Sequence, residues 1–309
     1  MALYQNTHEL IGNTPLVKLE AISKETGANI YAKLELYNPS GSVKDRVGKY
    51  MVEDAIKTGA LVPGGTIVEA TAGNTGLGIA FAALGKGYRV IFVVPTKFSI
   101  EKQQLMMALG AEIINTPREK GMLGAEEKAE ELLKTIPNAI ALRQFRNQSN
   151  PLSHYETTGP EIFQDLEGNI DYVVAGAGSG GTFTGVARYL KEKNADIKAV
   201  LADPEGSTIG GGEHHDYNIE GIGNDFIADT MDINLVDKVI KIDDKEAFDG
   251  AKELARKEGI IAGSSSGAAF AASKKLAKEA QGKNIVVILP DRGDRYFSTG
   301  LWKKEEVDE

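Results

Sequence analysis

The chain has no cysteine. Disulfides, thiolate metal sites and cysteine nucleophiles are therefore excluded. Histidine is scarce: His8, His154, His214 and His215 are the whole supply, and none is spaced as H-x-x-x-H or H-E-x-x-H, which argues against a metal centre. Basic runs are missing and the formal net charge is −9, so neither nucleic acid nor an anionic membrane surface is an expected partner. No apolar run approaches the length of a membrane span. The opening MALYQNTHEL lacks the basic-then-apolar pattern of a signal peptide. The expected setting is the cytoplasm, and the expected partners are small molecules.

What is present is an alternation of β-rich and helical stretches over 309 residues, long enough for two domains. TIVEA (66–70), RVIFVVP (89–95), AEIIN (111–115), DYVVAG (171–176), KAVLAD (198–203) and NIVVILP (284–290) are strand candidates. Valine and isoleucine dominate both faces, as in parallel strands covered by helices on either side. Helical patterns fall at 43–58, 76–85, 100–110, 121–134, 181–191, 245–257 and 267–280. Repeated β-then-α units predict an α/β fold of two doubly wound domains. One set of units ends near residue 148, and the polar, turn-rich NQSNPLS (147–153) is the expected crossing between domains. The glycine-rich stretch 205–227 is expected to be a long functional loop, and the tail KKEEVDE to fray.

Four motifs carry chemistry. NPSGSVKDR (38–46) places Lys44 in the first turn of a helix capped by Ser40 or Ser42. A cation is disfavoured there by the helix dipole. Either Lys44 is solvated and paired with Asp45, or its amine has a lowered pKa and attacks a carbonyl to form a Schiff base. EATAGNTGLG (69–78) joins a strand to a helix, and its Thr71, Ala72, Gly73, Asn74 and Thr75 offer donors for an anion such as a carboxylate. GAGSGGT (176–182) is a second strand-loop-helix turn suited to a phosphate. It also matches G-x-G-x-x-G, with Asp203 near where a ribose-binding acid would sit, so a nicotinamide-dependent oxidoreductase is a rival reading. GSSSG (263–267) matches a serine nucleophile elbow, but every histidine precedes it, so a hydrolase is rejected and a serine cap cluster is the plainer reading. His214 and His215 are expected to be surface loop.

Taken together and in this order, from IGNTPLVKL (11–19) to LPDRGDRYFSTG (289–300), these motifs resemble the cysteine synthase and cystathionine β-synthase family. The resemblance covers nearly the whole chain. It is similar above all to the short bacterial, O-acetylserine-dependent cystathionine β-synthases. The resemblance implies the tryptophan synthase β-like fold (fold type II), with a smaller mobile domain at 45–148, a larger domain from 1–44 plus 149–309, and pyridoxal 5′-phosphate between them. It implies a homodimer. It makes Lys44 the Schiff-base lysine and general base, and Asn74 the partner of the cofactor's ring hydroxyl. Gly178, Ser179, Gly180, Gly181 and Thr182 become the phosphate cradle, and Ser265 the hydroxyl at the pyridine nitrogen. Thr71, Ala72, Gly73, Thr75 and Gln144 become the substrate carboxylate site, with Gly221 lining the pocket.

The implied reaction is β-replacement on O-acetylserine or serine by a thiol. NPLSHYETT (150–158), EGIGNDFI (220–227) and TAGNTG (71–76) are more similar to the enzymes that use homocysteine. RGDRYFSTG (292–300) is more similar to those that use sulfide. Eukaryotic cystathionine β-synthases have a tyrosine where Asn224 stands, and an asparagine protonates a leaving hydroxide poorly, which favours O-acetylserine. Hydrogen sulfide release from cysteine, and a binding protein that has lost its chemistry, are the remaining alternatives.

Overall fold

The computed structural model describes residues 3–96 and 98–303. The expected frayed tail lies outside the described residues from 304 onward. The chain opens with β1 (Leu16–Lys18), α1 (Glu20–Thr26) and β2 (Asn29–Leu34). There follow α2 (Lys44–Lys57), β3 (Thr66–Ala70), α3 (Asn74–Ala83), β4 (Arg89–Pro95), α4 (Ile100–Ala108), β5 (Glu112–Thr116), α5 (Gly121–Thr135) and β6 (Ala139–Ile140). Next are α6 (Ser149–Ser153) and α7 (Gly159–Asp165), joined by the π-turn His154–Thr158. The remainder is β7 (Tyr172–Gly176), α8 (Gly181–Lys193), β8 (Lys198–Pro204), β9 (Lys238–Ile242), α9 (Asp244–Glu253), α10 (Ser264–Ala277) and β10 (Asn284–Leu289).

These strands form two sheets. One is six-stranded, in the order β1-β2-β10-β7-β8-β9, and only the β1–β2 pair is antiparallel. The other is four-stranded and wholly parallel, in the order β5-β4-β3-β6. Both faces of each sheet are covered, which is why valine and isoleucine fill both faces of the strands. Over the smaller sheet, Val47, Met51 and Val52 of α2 pack with Leu77, Ile79 and Phe92 on one side, and Val68, Ile91 and Val93 pack on Ala125 and Ala129 of α5 on the other. Over the larger sheet, Phe270 and Leu276 of α10 cover one face, and Phe183, Val186 and Leu190 of α8 cover the other.

NQSNPLS was expected to be a turn-rich crossing, but it starts a helix. Asn147 Oδ1 accepts from Ser149 N at 2.9 Å, and Ser149, Asn150, Pro151 and Ser153 are buried. Asparagine and serine serve helix starts as readily as turns, so composition alone could not separate the two. Strands β1, β2, β6 and β9 lay outside the expected set. β1 and β6 are 3 and 2 residues long, too short to show a period. No described helix is long and apolar enough to cross a membrane.

Candidate active site

The carboxyl ends of β3 from the smaller sheet and of β7 and β10 from the larger line one cavity of about 1020 Å³. This is where open α/β sheets place ligands. Lys44, the Thr71–Thr75 loop, Gln144, Gly178, Ser179, Gly180, Thr182, Gly221 and Ser265 all line it. Gly181 does not. It is buried behind the cradle, against Asn150.

Lys44 opens α2, and its backbone N–H donates to Ser42 Oγ at 3.3 Å. By surface area it is half-buried, because its side chain borders the cavity. Protein nonetheless surrounds the amine, and desolvation pushes its pKa down from 10.5 to about 8, against a smaller opposing pull from Asp291. The solvated pair with Asp45 is not formed. Asp45 is buried and accepts from the Ser40 N–H at 2.6 Å and from the Ser40 hydroxyl, and burial raises its pKa to about 6. α2 is held where Lys44 can reach the cavity because α3 crosses it at a glycine. A Cβ on Gly78 would sit 2.1 Å from the Lys44 carbonyl oxygen.

The loop between β3 and α3 presents the second group. Thr75 Oγ1 donates to Gln144 Oε1 at 2.6 Å, which leaves the Gln144 NH₂ with no protein acceptor among the described residues. Gln144 is itself held by Glu69, whose buried carboxylate accepts from Leu142 N at 2.9 Å and Arg143 N at 3.1 Å. Backbone N–H groups at the mouth of α3, the Thr71 hydroxyl and this free amide are a set of donors that fits a carboxylate.

The third group is the turn from β7 into α8. Gly180 caps α8 with φ +78°, and a Cβ there would lie 2.4 Å from Met231 Cβ. Only glycine meets both conditions. The turn presents the Ser179 and Thr182 hydroxyls with the first N–H groups of a 13-residue helix, a set that fits a phosphate. The dinucleotide alternative fails on Asp203. That residue is buried, accepts from Lys241 Nζ at 2.6 Å and Gly210 N at 2.9 Å, and does not line the cavity.

The serines of GSSSG are not a cap cluster, since Gly263 caps α10 with no side-chain bond. Ser265 lines the cavity, and Ser264 Oγ accepts from Glu220 N at 3.0 Å, which ties the 205–227 loop to α10. His214 and His215 are exposed, and no cluster of potential metal ligands occurs among the described residues.

Several contributors are given no role by the sequence alone. Asp291 is buried beside Lys44, accepting from Asn74 Nδ2 at 2.8 Å and Tyr296 OH at 2.5 Å. Arg295 donates to Asn74 Oδ1 at 2.8 Å. Lys102 of α4, only 3% exposed, donates to Glu220 Oε2 at 2.7 Å and so joins the smaller sheet's helices to the 205–227 loop. Each is a charged residue made special by a partner more than a hundred positions away, which no local pattern records.

A family model described as "Pyridoxal-phosphate dependent enzyme" matches residues 7–291. The chain is 50% identical to the O-acetylserine dependent cystathionine beta-synthase of Bacillus subtilis over 98% of this chain and 99% of that one. It is 46% identical to a cysteine synthase of Helicobacter pylori over 98% and 100%. It superimposes on the crystal structure of an O-acetylserine dependent cystathionine beta-synthase from Helicobacter pylori with a TM-score of 0.92 and 46% identity, covering 98% of this chain and 100% of that one. The tryptophan synthase β-like fold (fold type II) expected from the motifs is the fold observed. On its family match, its identities and its fold, the chain belongs to the pyridoxal-phosphate dependent enzymes.

Proposed function

We propose that this enzyme replaces the β-substituent of O-acetylserine with a thiol, and that homocysteine is that thiol, giving cystathionine. The observation that carries the proposal is a single cavity holding a lysine amine of lowered pKa, a carboxylate site and a glycine-lined helix mouth. These fit pyridoxal phosphate. Lys44 would hold its aldehyde, Ser179, Thr182 and the start of α8 its phosphate, and Ser265 its ring nitrogen. Asn74 keeps one Nδ2 hydrogen for the ring hydroxyl while the other goes to Asp291. When bound, the cofactor supplies an electron sink for the substrate α-carbon.

The remaining work falls to the chain's own residues. The Thr71–Thr75 loop and Gln144 orient the substrate by its carboxylate. The Lys44 amine takes the proton from the α-carbon and later returns it. Ser265 is a neutral partner for a ring nitrogen, and a neutral partner stores less charge in the ring, which favours elimination at the β-carbon over transamination. Asn224 donates to the Gly178 carbonyl at 2.8 Å and has no acidic proton to give a leaving group, which favours one that departs readily as an anion, as acetate does.

The thiol is inferred from the mouth of the cavity. Glu126, Arg146 and Asp225 lie there with Met122 and Leu123, room and charge for a zwitterionic thiol with an apolar linker. Sulfide would need neither. Similarity to a cysteine synthase supports the sulfide alternative. A matrix of serine, O-acetylserine and cysteine against sulfide and homocysteine decides. Cystathionine from O-acetylserine and homocysteine as the fastest product supports the proposal. Cysteine from sulfide, or hydrogen sulfide from cysteine, as the faster product overturns it.

Residues 45–148 would be the smaller mobile domain, closing on substrate and excluding water. The chain would act as a homodimer. Its setting would be the cytoplasm.

A further inference from the structure

The residues behind the phosphate cradle fix which way its hydroxyl protons point. Asn150 is a buried residue of α6. Its Nδ2 donates to the Gln144 carbonyl at 2.9 Å and to Ser179 Oγ at 2.9 Å. A carbonyl can only accept, so the group facing it must be the NH₂. Ser179 Oγ therefore receives a hydrogen bond from behind. Its own proton is left for the cavity.

One helical turn further on, His154 stands in the same relation to Thr182. The ring is fully buried. Its Nδ1 lies 2.9 Å from Thr158 Oγ1 and its Nε2 lies 3.1 Å from Thr182 Oγ1. Burial pushes its pKa down to about 3, so the ring is neutral and carries a single N–H. Two arrangements are possible. With the proton on Nδ1, the ring donates to Thr158, and the Thr158 hydroxyl proton has no other acceptor among the described residues, although Thr158 is 0% exposed. With the proton on Nε2, Thr158 donates to Nδ1, the ring donates to Thr182, and every buried proton is used. A buried unmet donor is costly, so the second arrangement is the stable one.

We infer that His154 is a positioning residue held as its Nε2–H tautomer, and that with Asn150 it donates to the backs of Thr182 and Ser179 so that both hydroxyl protons face the phosphate. The cradle is thereby set as a donor array before any anion arrives. An anion then meets two protons already turned toward it, rather than hydroxyls free to present lone pairs. The inference rests on the reading of residues 178–182 as the phosphate site.

The test has two parts. First, the protein is labelled with ¹⁵N-histidine, and long-range ¹H–¹⁵N spectra of the cofactor-loaded enzyme report the His154 tautomer. The expected result is the Nε2–H form. An Nδ1–H form or a protonated ring overturns the inference. Second, apoenzyme is titrated with pyridoxal phosphate and with pyridoxal, which lacks the phosphate. His154→Asn keeps a polar group only near Thr158, and is expected to weaken pyridoxal phosphate about tenfold, the value of one hydrogen bond to a charged group, while leaving pyridoxal unchanged. His154→Gln, whose amide can reach Thr182, is expected to restore the wild-type value. Equal weakening of both ligands by His154→Asn would mean a structural role only and would overturn the inference. Wild-type protein that binds neither ligand would instead refute the cofactor site on which it rests.

Discussion

Asn74 and Asp291 are joined across 217 positions of sequence by a 2.8 Å hydrogen bond from the Asn74 amide to a buried carboxylate. Tyr296 donates to the same carboxylate oxygen at 2.5 Å. Asp291→Ala would leave the buried Tyr296 hydroxyl and the half-buried Asn74 amide without this acceptor. The expected cost is about 3 kcal/mol of stability, measured by chemical denaturation of the apoenzyme, because each unmet donor costs about 1–3 kcal/mol. Asn74 would also lose its orientation, so activity falls further than stability alone requires. A variant as stable as the wild type would show that Asp291 does not hold this corner together.

The Lys44 amine titrates near 8 rather than at 10.5. Only the neutral amine attacks an aldehyde. Loading of the apoenzyme with pyridoxal phosphate is therefore expected to speed up about tenfold between pH 7 and pH 9 and then to level off. An ordinary lysine would still be gaining steeply at pH 9. Folding stability follows the same proton. The folded chain releases it near pH 8 and the unfolded chain holds it to about 10.5, so this group's contribution to stability rises with pH across that window. Stopped-flow loading rates against pH check the first expectation.

Asn224 is committed to the Gly178 carbonyl and cannot protonate a leaving group. O-acetylserine is expected to exceed free serine by about 100-fold or more in kcat/KM, since general acid assistance is worth roughly that much. Asn224→Tyr is expected to narrow the ratio. Comparable turnover of the two donors by the wild type would contradict this account of donor choice.

Much of the fold was legible because parallel strands buried on both faces leave dense runs of valine and isoleucine, as in RVIFVVP and NIVVILP. The short strands β1 and β6 left no such trace. The candidate site was legible where backbone does the binding, since TAGNTG and GSGGT must keep glycine and hydroxyl residues in sequence to form a helix mouth. It was not legible where side chains converge from afar. Lys102 and Glu220 meet across 118 positions, and Arg46 is enclosed by Glu35 and Glu161 with Nε–Oε2 and Nη1–Oε1 distances of 2.8 and 2.6 Å. Those pairings depend on how two sheets face one another, which spacing along the chain does not encode.

Gly180 combines a left-handed backbone with a close approach to Met231. Gly180→Ala is expected to lose about 2–5 kcal/mol, from backbone strain of about 1–2 kcal/mol and overpacking of about 1–3 kcal/mol. Affinity for pyridoxal phosphate should fall with it, because the start of α8 must shift. Thermal unfolding and cofactor titration of the same preparation check both.

Cofactor attachment rests on one amine, that of Lys44. The most direct measurement is the intact mass and peptide map of the enzyme after loading with pyridoxal phosphate and reduction with borohydride, for the wild type and for Lys44→Ala. The expected result is one reduced cofactor adduct on the wild type, located at Lys44, and none on the variant. An adduct at another lysine, an equally loaded Lys44→Ala protein, or a wild type that takes up no cofactor would contradict it.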